Sequence, residues 1–456
     1  MKGAELAGKR VLVVGLGVSG FSAAKALADL EAKVRVTEGA ATDTIRDRAE
    51  QLRGIGIEVE TGGHDLDRLD ADLAVISPGI PPSAPIARAI RDEGIELWSE
   101  VELAYRLAAC DFLAITGTNG KTTTTLLLAR ILEEAGTPTV AAGNIGFPLI
   151  DAIAKVPAGG AIALEVSSFQ LDATERFRPR AAVILNIAED HTDWHGSFES
   201  YRDAKARLIV NQGPDDVFLP NLADDNAMQV GSTAASRVVP FSAETLPEGG
   251  IGRRGADIVW RDRTVFPVDA VTLPGPTGLE DAVAAAGAAL EYGIDPQPVA
   301  RAVRSFRPLA HRFEVVARRG GITFVDDSKA TNPHATLAAL RGLNNVVLIA
   351  GGRSKGIDLG PLVAAAPSLT AVIALGEAKE ELQMVFDGIV PVETVDSMES
   401  AVRAAMDRSI SPGSVLLSPA CASLDMYESY VARGDHFARV VNELLEGSEE
   451  GSDGIA

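Results

Sequence analysis

Arg10-Val-Leu-Val-Val-Gly-Leu-Gly-Val-Ser-Gly20 decides the fold. An apolar run of strand-forming residues enters a glycine-rich turn, the residues beyond it read as a helix through Leu30, and a second strand follows at 33–37, so the chain opens as a β-α-β unit. Further apolar runs at 72–77 and 95–98 alternate with helical stretches, the pattern of a parallel sheet covered on both faces. This first domain spans 1–98.

Outward from there, a helix over 99–108 leads into a second alternation, with strands at 112–116, 161–166 and 181–186 and helices beginning near Lys121, Gly146 and Phe198. Between 214 and 273 the pattern changes to short strand-like pieces rich in turn residues, including Val217-Phe-Leu219 and Asp257-Ile-Val-Trp260. These read as an antiparallel appendage to the second sheet, and the second domain spans 99–310. A third alternation, with strands near 322–325, 346–350, 371–375 and 415–418, fills 311–446. The acidic stretch Glu446-Gly-Ser-Glu-Glu-Gly-Ser-Asp453 has no apolar residues to offset the entropy of ordering, so 447–456 is expected to be disordered. The class is α/β in three domains: Rossmann-like, then a P-loop ATPase-type domain with a small antiparallel appendage, then Rossmann-like again.

Composition narrows the function. With 456 residues, 46% hydrophobic and 23% charged, the chain is globular and too long for one small binding module. No apolar run of about 18 residues is present to span a bilayer. Lys and Arg total 42 against 63 Asp and Glu, a net charge of −21, which argues against nucleic acid or anionic lipid as partners. A small anion needs only a local cluster of cations, which net charge does not forbid. Cys110 and Cys421 are too few for a disulfide framework, and Met1-Lys-Gly-Ala-Glu5 lacks the apolar core of a secretory signal, so a cytoplasmic protein is expected.

The 15–20 turn, with Glu38 beyond it, fits a dinucleotide fingerprint, but its glycines would admit any nucleotide diphosphate to a helix N-terminus and also suit tight packing. A stronger signal is Thr116-Gly-Thr-Asn-Gly-Lys-Thr-Thr123, after an apolar strand and opening a helix. It is a shortened phosphate loop, with Ile115 where the general pattern has Gly. Gly117 and Gly120 still expose backbone N–H groups, Lys121 can reach the phosphates, and the Thr122 hydroxyl suits Mg²⁺. Glu165 ends a strand in Ala163-Leu-Glu-Val-Ser-Ser-Phe-Gln170, where a further Mg²⁺ ligand belongs.

The next strand ends in Glu189-Asp-His-Thr-Asp-Trp-His195, whose two histidines lack a third ligand for zinc. Lys205, in Tyr201-Arg-Asp-Ala-Lys-Ala-Arg207, reads by itself as a solvated helix face. In the third domain Asp326-Asp-Ser-Lys-Ala-Thr-Asn332, Gly351-Gly-Arg-Ser-Lys355 and Ser418-Pro-Ala-Cys-Ala-Ser-Leu-Asp425 each end a strand, so cationic and hydroxyl groups converge to receive a small anion. Cys421 reads as buried packing rather than a nucleophile.

Together these segments resemble the Mur ligase family over nearly the whole chain. The Gly-Thr-Asn-Gly-Lys-Thr loop, Glu165 with Ser167-Ser-Phe-Gln170, Asn186 with Glu189-Asp-His191, and His311-Arg-Phe-Glu314 are similar to features shared with folylpolyglutamate ligases. The 327–332 and 418–425 segments, with Arg433-Gly-Asp-His-Phe437, resemble the glutamate-adding member.

The resemblance implies that ATP phosphorylates the carboxylate of UDP-N-acetylmuramoyl-L-alanine and that the amine of D-glutamate attacks the acyl phosphate. It implies two Mg²⁺ sites formed from Thr122, Glu165, His191 and Lys205, with Lys205 carbamylated by CO₂. Lys121, Glu165, His191 and Lys205 would be catalytic. ATP would meet Gly117, Thr118, Asn119, Gly120, Lys121, Thr122, Thr123, Arg312 and Asp327. Leu16, Gly17, Thr37, Ser77, Asn144, Ser167 and Gln170 match positions around the UDP substrate, and Thr331, Lys355, Ser423 and Tyr430 match those around glutamate.

The expected partners are these small molecules alone, met by a monomer whose domains close about hinges near 98–99 and 308–311. Two segments depart from the family: Leu273-Pro-Gly-Pro-Thr-Gly-Leu-Glu-Asp281 lacks a His-Asn-x-x-Asn pattern, and no Arg follows Thr37-Glu-Gly-Ala-Ala41. A ligase for L-glutamate or another amino acid, an NAD-dependent oxidoreductase and a non-catalytic nucleotide-binding protein are the alternative readings.

Overall fold

The computed structural model describes residues 3–273, 275, 277–307, 309–354 and 356–447. The chain gathers into two compact units. One comprises Met1–Ile187, Trp194–Ala270 and Asp281–Ser305; the other takes Ala188–Asp193, Val271–Glu280 and the chain from Phe306 onward.

Among the described residues the first unit holds three sheets. β1 (Arg10–Val14), β2 (Lys33–Glu38), β3 (Glu58–Thr61), β4 (Leu73–Ile76) and β5 (Glu96–Ser99) form a parallel sheet in the order β3-β2-β1-β4-β5. Val11 through Val14 are all buried, as a strand covered on both faces requires. The order reverses at β1, between β2 and β4, and the 15–20 turn lies at that switch point, where open α/β sheets bind ligands.

β6 (Asp111–Thr116), β7 (Thr139–Gly143), β8 (Ala161–Glu165), β9 (Ala181–Ile184), β10 (Val217–Pro220) and β11 (Arg237–Val238) form a second parallel sheet, ordered β11-β10-β9-β6-β8-β7. The 217–219 segment is therefore not part of an antiparallel appendage. All four residues of β10 are buried, and two-sided burial selects a parallel core position over an edge.

The appendage itself is β12 (Phe241–Ser242), β13 (Ile251–Arg254), β14 (Asp257–Trp260) and β15 (Arg263–Pro267), with β13-β14-β15 antiparallel and β12 parallel to β13. Between the first two sheets runs the helix Glu100–Leu107. The Ser99 hydroxyl caps it by accepting from the Glu102 amide, and it buries Val101, Leu103 and Ala104 in a core continuous with Val11 and Phe112.

In the second unit β16 (Glu314–Arg319), β17 (Ile322–Asp326), β18 (Val346–Gly351), β19 (Leu369–Leu375), β20 (Val392–Thr394) and β21 (Gly413–Leu417) form a sheet ordered β16-β17-β21-β18-β19-β20. It is parallel except for the edge strand β16. The closing helix Tyr430–Gly447 enters the stretch expected to be disordered, of which 448–456 lie outside the described residues. Pro308, in the expected hinge, also lies outside them. Among the described residues no helix is long and apolar enough to cross a membrane.

Candidate active site

The phosphate loop connects β6 to the helix Lys121–Glu134, with Gly120 as its N-cap at φ +85°. A side chain at Gly120 would collide with Asp281, whose Oδ1 would be 2.4 Å from an added Cβ. Asp281 thus braces the loop from the segment that departs from the family, and the Thr124 hydroxyl donates to it at 3.1 Å. Asn186 holds the other flank, its Oδ1 accepting from the Asn119 amide at 2.8 Å and its carbonyl from Thr118 at 2.9 Å.

Lys121 Nζ donates to the Gly117 and Thr118 carbonyls at 2.8 and 2.9 Å. Lys205 is only 1% exposed, and its Nζ also donates to the Gly117 carbonyl, at 2.9 Å. It lies 4.5 Å from the ring centroid of Tyr201, whose hydroxyl is 3.1 Å from Thr118 Oγ1. The solvated-face reading of the isolated helix is therefore wrong; this face packs against the phosphate loop.

Glu165 ends β8, where the strand register pairs it with Ile115 just before the loop. Oε1 accepts from Asn144 Nδ2 at 2.8 Å, whereas Oε2 is buried and has no hydrogen-bond partner among the described residues. A carboxylate oxygen left so is costly unless a cation completes it, and with the Thr122 hydroxyl in the same loop the donor set is all oxygen. The residues fit Mg²⁺. His191 belongs to the second unit. There its φ is +53°, its amide donates to Asp190 Oδ1 at 2.9 Å, and Asp190 Oδ2 accepts from Asn332 Nδ2 at 3.2 Å.

At the first sheet, Gly15 has φ +98° and Gly20 packs so closely that a Cβ there would be 2.0 Å from the Gly15 carbonyl oxygen. An added Cβ at Gly17 meets nothing within 4 Å, so that position is open to a ligand. Leu16 donates its amide to Glu38 Oε2 at 2.6 Å, and its carbonyl accepts from Arg48 Nη1 at 3.1 Å. Glu38 Oε1 accepts from the Ala40 amide at 2.8 Å, so this carboxylate serves the backbone of the loop.

Thr37 is buried, and Ser77 Oγ donates to the Gly15 carbonyl at 3.4 Å. Ser167 and Gln170 form a reciprocal capping box on the helix Ser168–Asp172, which places them beyond β8 as structural as well as candidate binding groups.

In the second unit Asp327 accepts from the Phe313 amide at 3.1 Å and from Ser418 Oγ at 2.9 Å, and burial pushes its pKa up to about 7. Arg312 is half-buried beside it in sequence to Phe313. Tyr430 stacks under the Lys329 ammonium, 3.9 Å from its ring centroid; Ser423 is buried, Thr331 half-buried, and Lys355 lies outside the described residues.

Arg433 stands in the 433–437 motif without a role that its sequence context assigns. It is 2% exposed and donates to the Ser328 hydroxyl and carbonyl at 3.0 and 2.9 Å, to the Cys421 carbonyl at 3.1 Å and to the Gly351 carbonyl at 3.4 Å. One guanidinium thus ties together the loops after β17, β18 and β21. Its desolvation lowers its pKa to about 10.

Three family models match the chain in order: "Mur ligase MurD-like, N-terminal domain" over residues 9–99, "Mur ligase middle domain" over 115–269 and "Mur ligase, glutamate ligase domain" over 311–421. A UDP-N-acetylmuramoylalanine–D-glutamate ligase of Frankia casuarinae is 42% identical over 446 residues, covering 95% of this chain and 94% of its own. The ligase of the same name from Shouchella clausii is 39% identical, covering 97% and 99%. Among solved structures, the UDP-N-acetylmuramate-alanine ligase of Thermotoga maritima shares the fold, with a TM-score of 0.58 at 18% identity over 95% of this chain and 99% of that one.

Proposed function

The chain belongs to the Mur ligase family, with its three-domain α/β architecture, and we propose that it joins D-glutamate to UDP-N-acetylmuramoyl-L-alanine, converting ATP to ADP and phosphate. It is an ATP-dependent amide ligase of peptidoglycan precursor synthesis. A carboxylate oxygen of the acceptor attacks the γ-phosphorus, and the bond to ADP breaks. The amine of glutamate then attacks the acyl carbon, the C–O bond to phosphate breaks with its electron pair going to phosphate, and the nitrogen loses a proton to become the amide. A carboxylate is a poor acyl donor without that leaving group, so the protein's task is positioning and charge neutralisation.

The observation that carries this reading is the buried, unpartnered Oε2 of Glu165 on the strand beside a loop whose Gly117 carbonyl receives two lysines. In this reading the 117–123 loop holds the ATP phosphates, and Arg312 and Asp327 of the third domain meet the nucleotide. Thr122 and Glu165 would hold one Mg²⁺, and His191 with a carbamylated Lys205 a second; Mg²⁺ supplies neutralisation of phosphate charge. Carbamylation by CO₂ would turn Lys205 from a cation into an oxygen ligand of the kind that Mg²⁺ takes, on a side chain that already reaches the phosphate loop.

Leu16, Gly17, Thr37, Ser77, Asn144, Ser167 and Gln170 form the acceptor side, and Thr331, Lys355, Ser423 and Tyr430 the glutamate side. The segments 1–98, 99–310 and 311–446 each bring one substrate, in a cytoplasmic monomer. The test is phosphate release on mixing the protein with ATP, Mg²⁺, UDP-N-acetylmuramoyl-L-alanine and either enantiomer of glutamate. Release must require both organic substrates and favour the D-enantiomer; release without that dependence overturns the reading.

A further inference from the structure

The carboxyl edge of the first sheet holds an imidazole that the scheme above leaves unused. In a β-α-β nucleotide site the diphosphate sits at the helix N-terminus and the nucleoside lies over the end of the next strand, here β2. The β2 end offers Thr37, Glu38 and Gly39, and the Glu38 carboxylate already accepts from the Leu16 and Ala40 amides. His64, three residues past β3, stands at this place, half-buried, with Nδ1 2.8 Å from Thr37 Oγ1.

Thr37 Oγ1 also lies 3.4 Å from the Gly63 carbonyl oxygen, which can only accept, so both contacts are hydrogen bonds only when the hydroxyl gives its one proton to that carbonyl. The hydroxyl's remaining capacity is to accept, which makes Nδ1 the protonated nitrogen of His64 and leaves Nε2 an acceptor. Gly39 supplies no side chain to cover that nitrogen: a Cβ there would be 3.2 Å from Nε2.

We propose that His64 reads the base of the acceptor, its Nε2 accepting the N3–H of uracil. Cytosine carries a lone pair at N3 and would set acceptor against acceptor. The inference rests on the acceptor being a uridine nucleotide, as the proposed function has it, and it supplies a base contact where no Arg follows Thr37.

Calorimetric titration of the full-length protein with UDP and with CDP tests it, alongside steady-state assays. The expected result is UDP binding at least about tenfold tighter than CDP, because a polar site rejects a mismatched analogue. His64→Ala should erase that preference. Gly39→Ala should weaken UDP while keeping the imidazole, which need shift only by a few tenths of an ångström, since the added methyl covers Nε2. His64→Gln, whose amide oxygen can accept, should recover part of it.

In each variant KM rises for the UDP acceptor and not for ATP or glutamate. A merely structural histidine would lower thermal stability without changing the UDP-to-CDP ratio. If the wild type turns over UDP-N-acetylmuramoyl-L-alanine and both alanine variants keep its UDP-to-CDP ratio, the inference falls and the ligase reading stands. If the wild type neither binds UDP nor turns over that acceptor, both fall.

Discussion

The first and second sheets each carry a glycine-rich turn from a central parallel strand into a helix, and the two turns differ in what surrounds them. Around the 15–20 turn the contacts are to backbone: Glu38 holds the Leu16 amide and Arg48 its carbonyl. Around the 117–123 turn two lysines meet on the Gly117 carbonyl, and on the neighbouring strand a buried carboxylate oxygen lacks a hydrogen-bond partner among the described residues. Glycine gives both turns the same close approach to a phosphate. The difference lies in charge: in the proposed reading the first turn would hold a diphosphate that stays intact, and the second would neutralise charge as a phosphoryl group moves between oxygens.

The strongest way to break that division is to remove the two lysines of the second turn. Lys121→Ala and Lys205→Ala should each lower kcat by about 10³-fold, the scale of losing a preorganised electrostatic group, while UDP affinity measured by calorimetry stays as in the wild type. Added formate or acetate should partly restore Lys205→Ala if that side chain works as a carbamate, and should do nothing for Lys121→Ala. A parallel loss of UDP affinity would mean that the turns do not divide the work. Next comes Glu165→Gln. The amide oxygen can keep the contact from Asn144, so the fold should hold, yet a neutral group replaces the proposed ligand; kcat should fall by about 10²-fold and the Mg²⁺ concentration for half-maximal rate should rise. An unchanged Mg²⁺ dependence would remove Glu165 from the metal site.

The architecture was legible because buried parallel strands leave a direct trace, as Val11–Val14 of β1 do. The same rule, applied to Val217-Phe-Leu219, would have put that segment in the second sheet; surrounding turn residues drew it into the appendage instead. The edge strand β16 is half-exposed and charged, Glu314-Val-Val-Ala-Arg-Arg319, so it gives no continuous apolar run to read. In the site, the 116–123 turn was legible because its spacing is itself the chemistry. Lys205 was not: Arg202, Asp203 and Arg207 flank it, and only the packing of its helix against the phosphate loop takes the ammonium out of water. Arg433 was hidden for the same reason, since the three loops it ties together are far apart in sequence.

Glu38 gives the smallest predicted effect and the finest test of the comparison. Spacing alone suggests a ribose ligand, but its two oxygens each accept from a backbone amide, one of them in the first turn. Glu38→Gln leaves one acceptor for two donors and turns an amino group toward the other. A hydrogen bond to a charged group contributes about 1.5–3 kcal/mol, and part of the loss will appear as lower thermal stability. The remainder should raise KM for the UDP acceptor by roughly three- to tenfold, because a loosened Leu16 amide shifts the diphosphate cradle. At saturating acceptor kcat should match the wild type. A kcat loss as large as that of Glu165→Gln would show that the first turn acts on the reacting phosphate, and the charge difference between the two turns would no longer explain which one reacts.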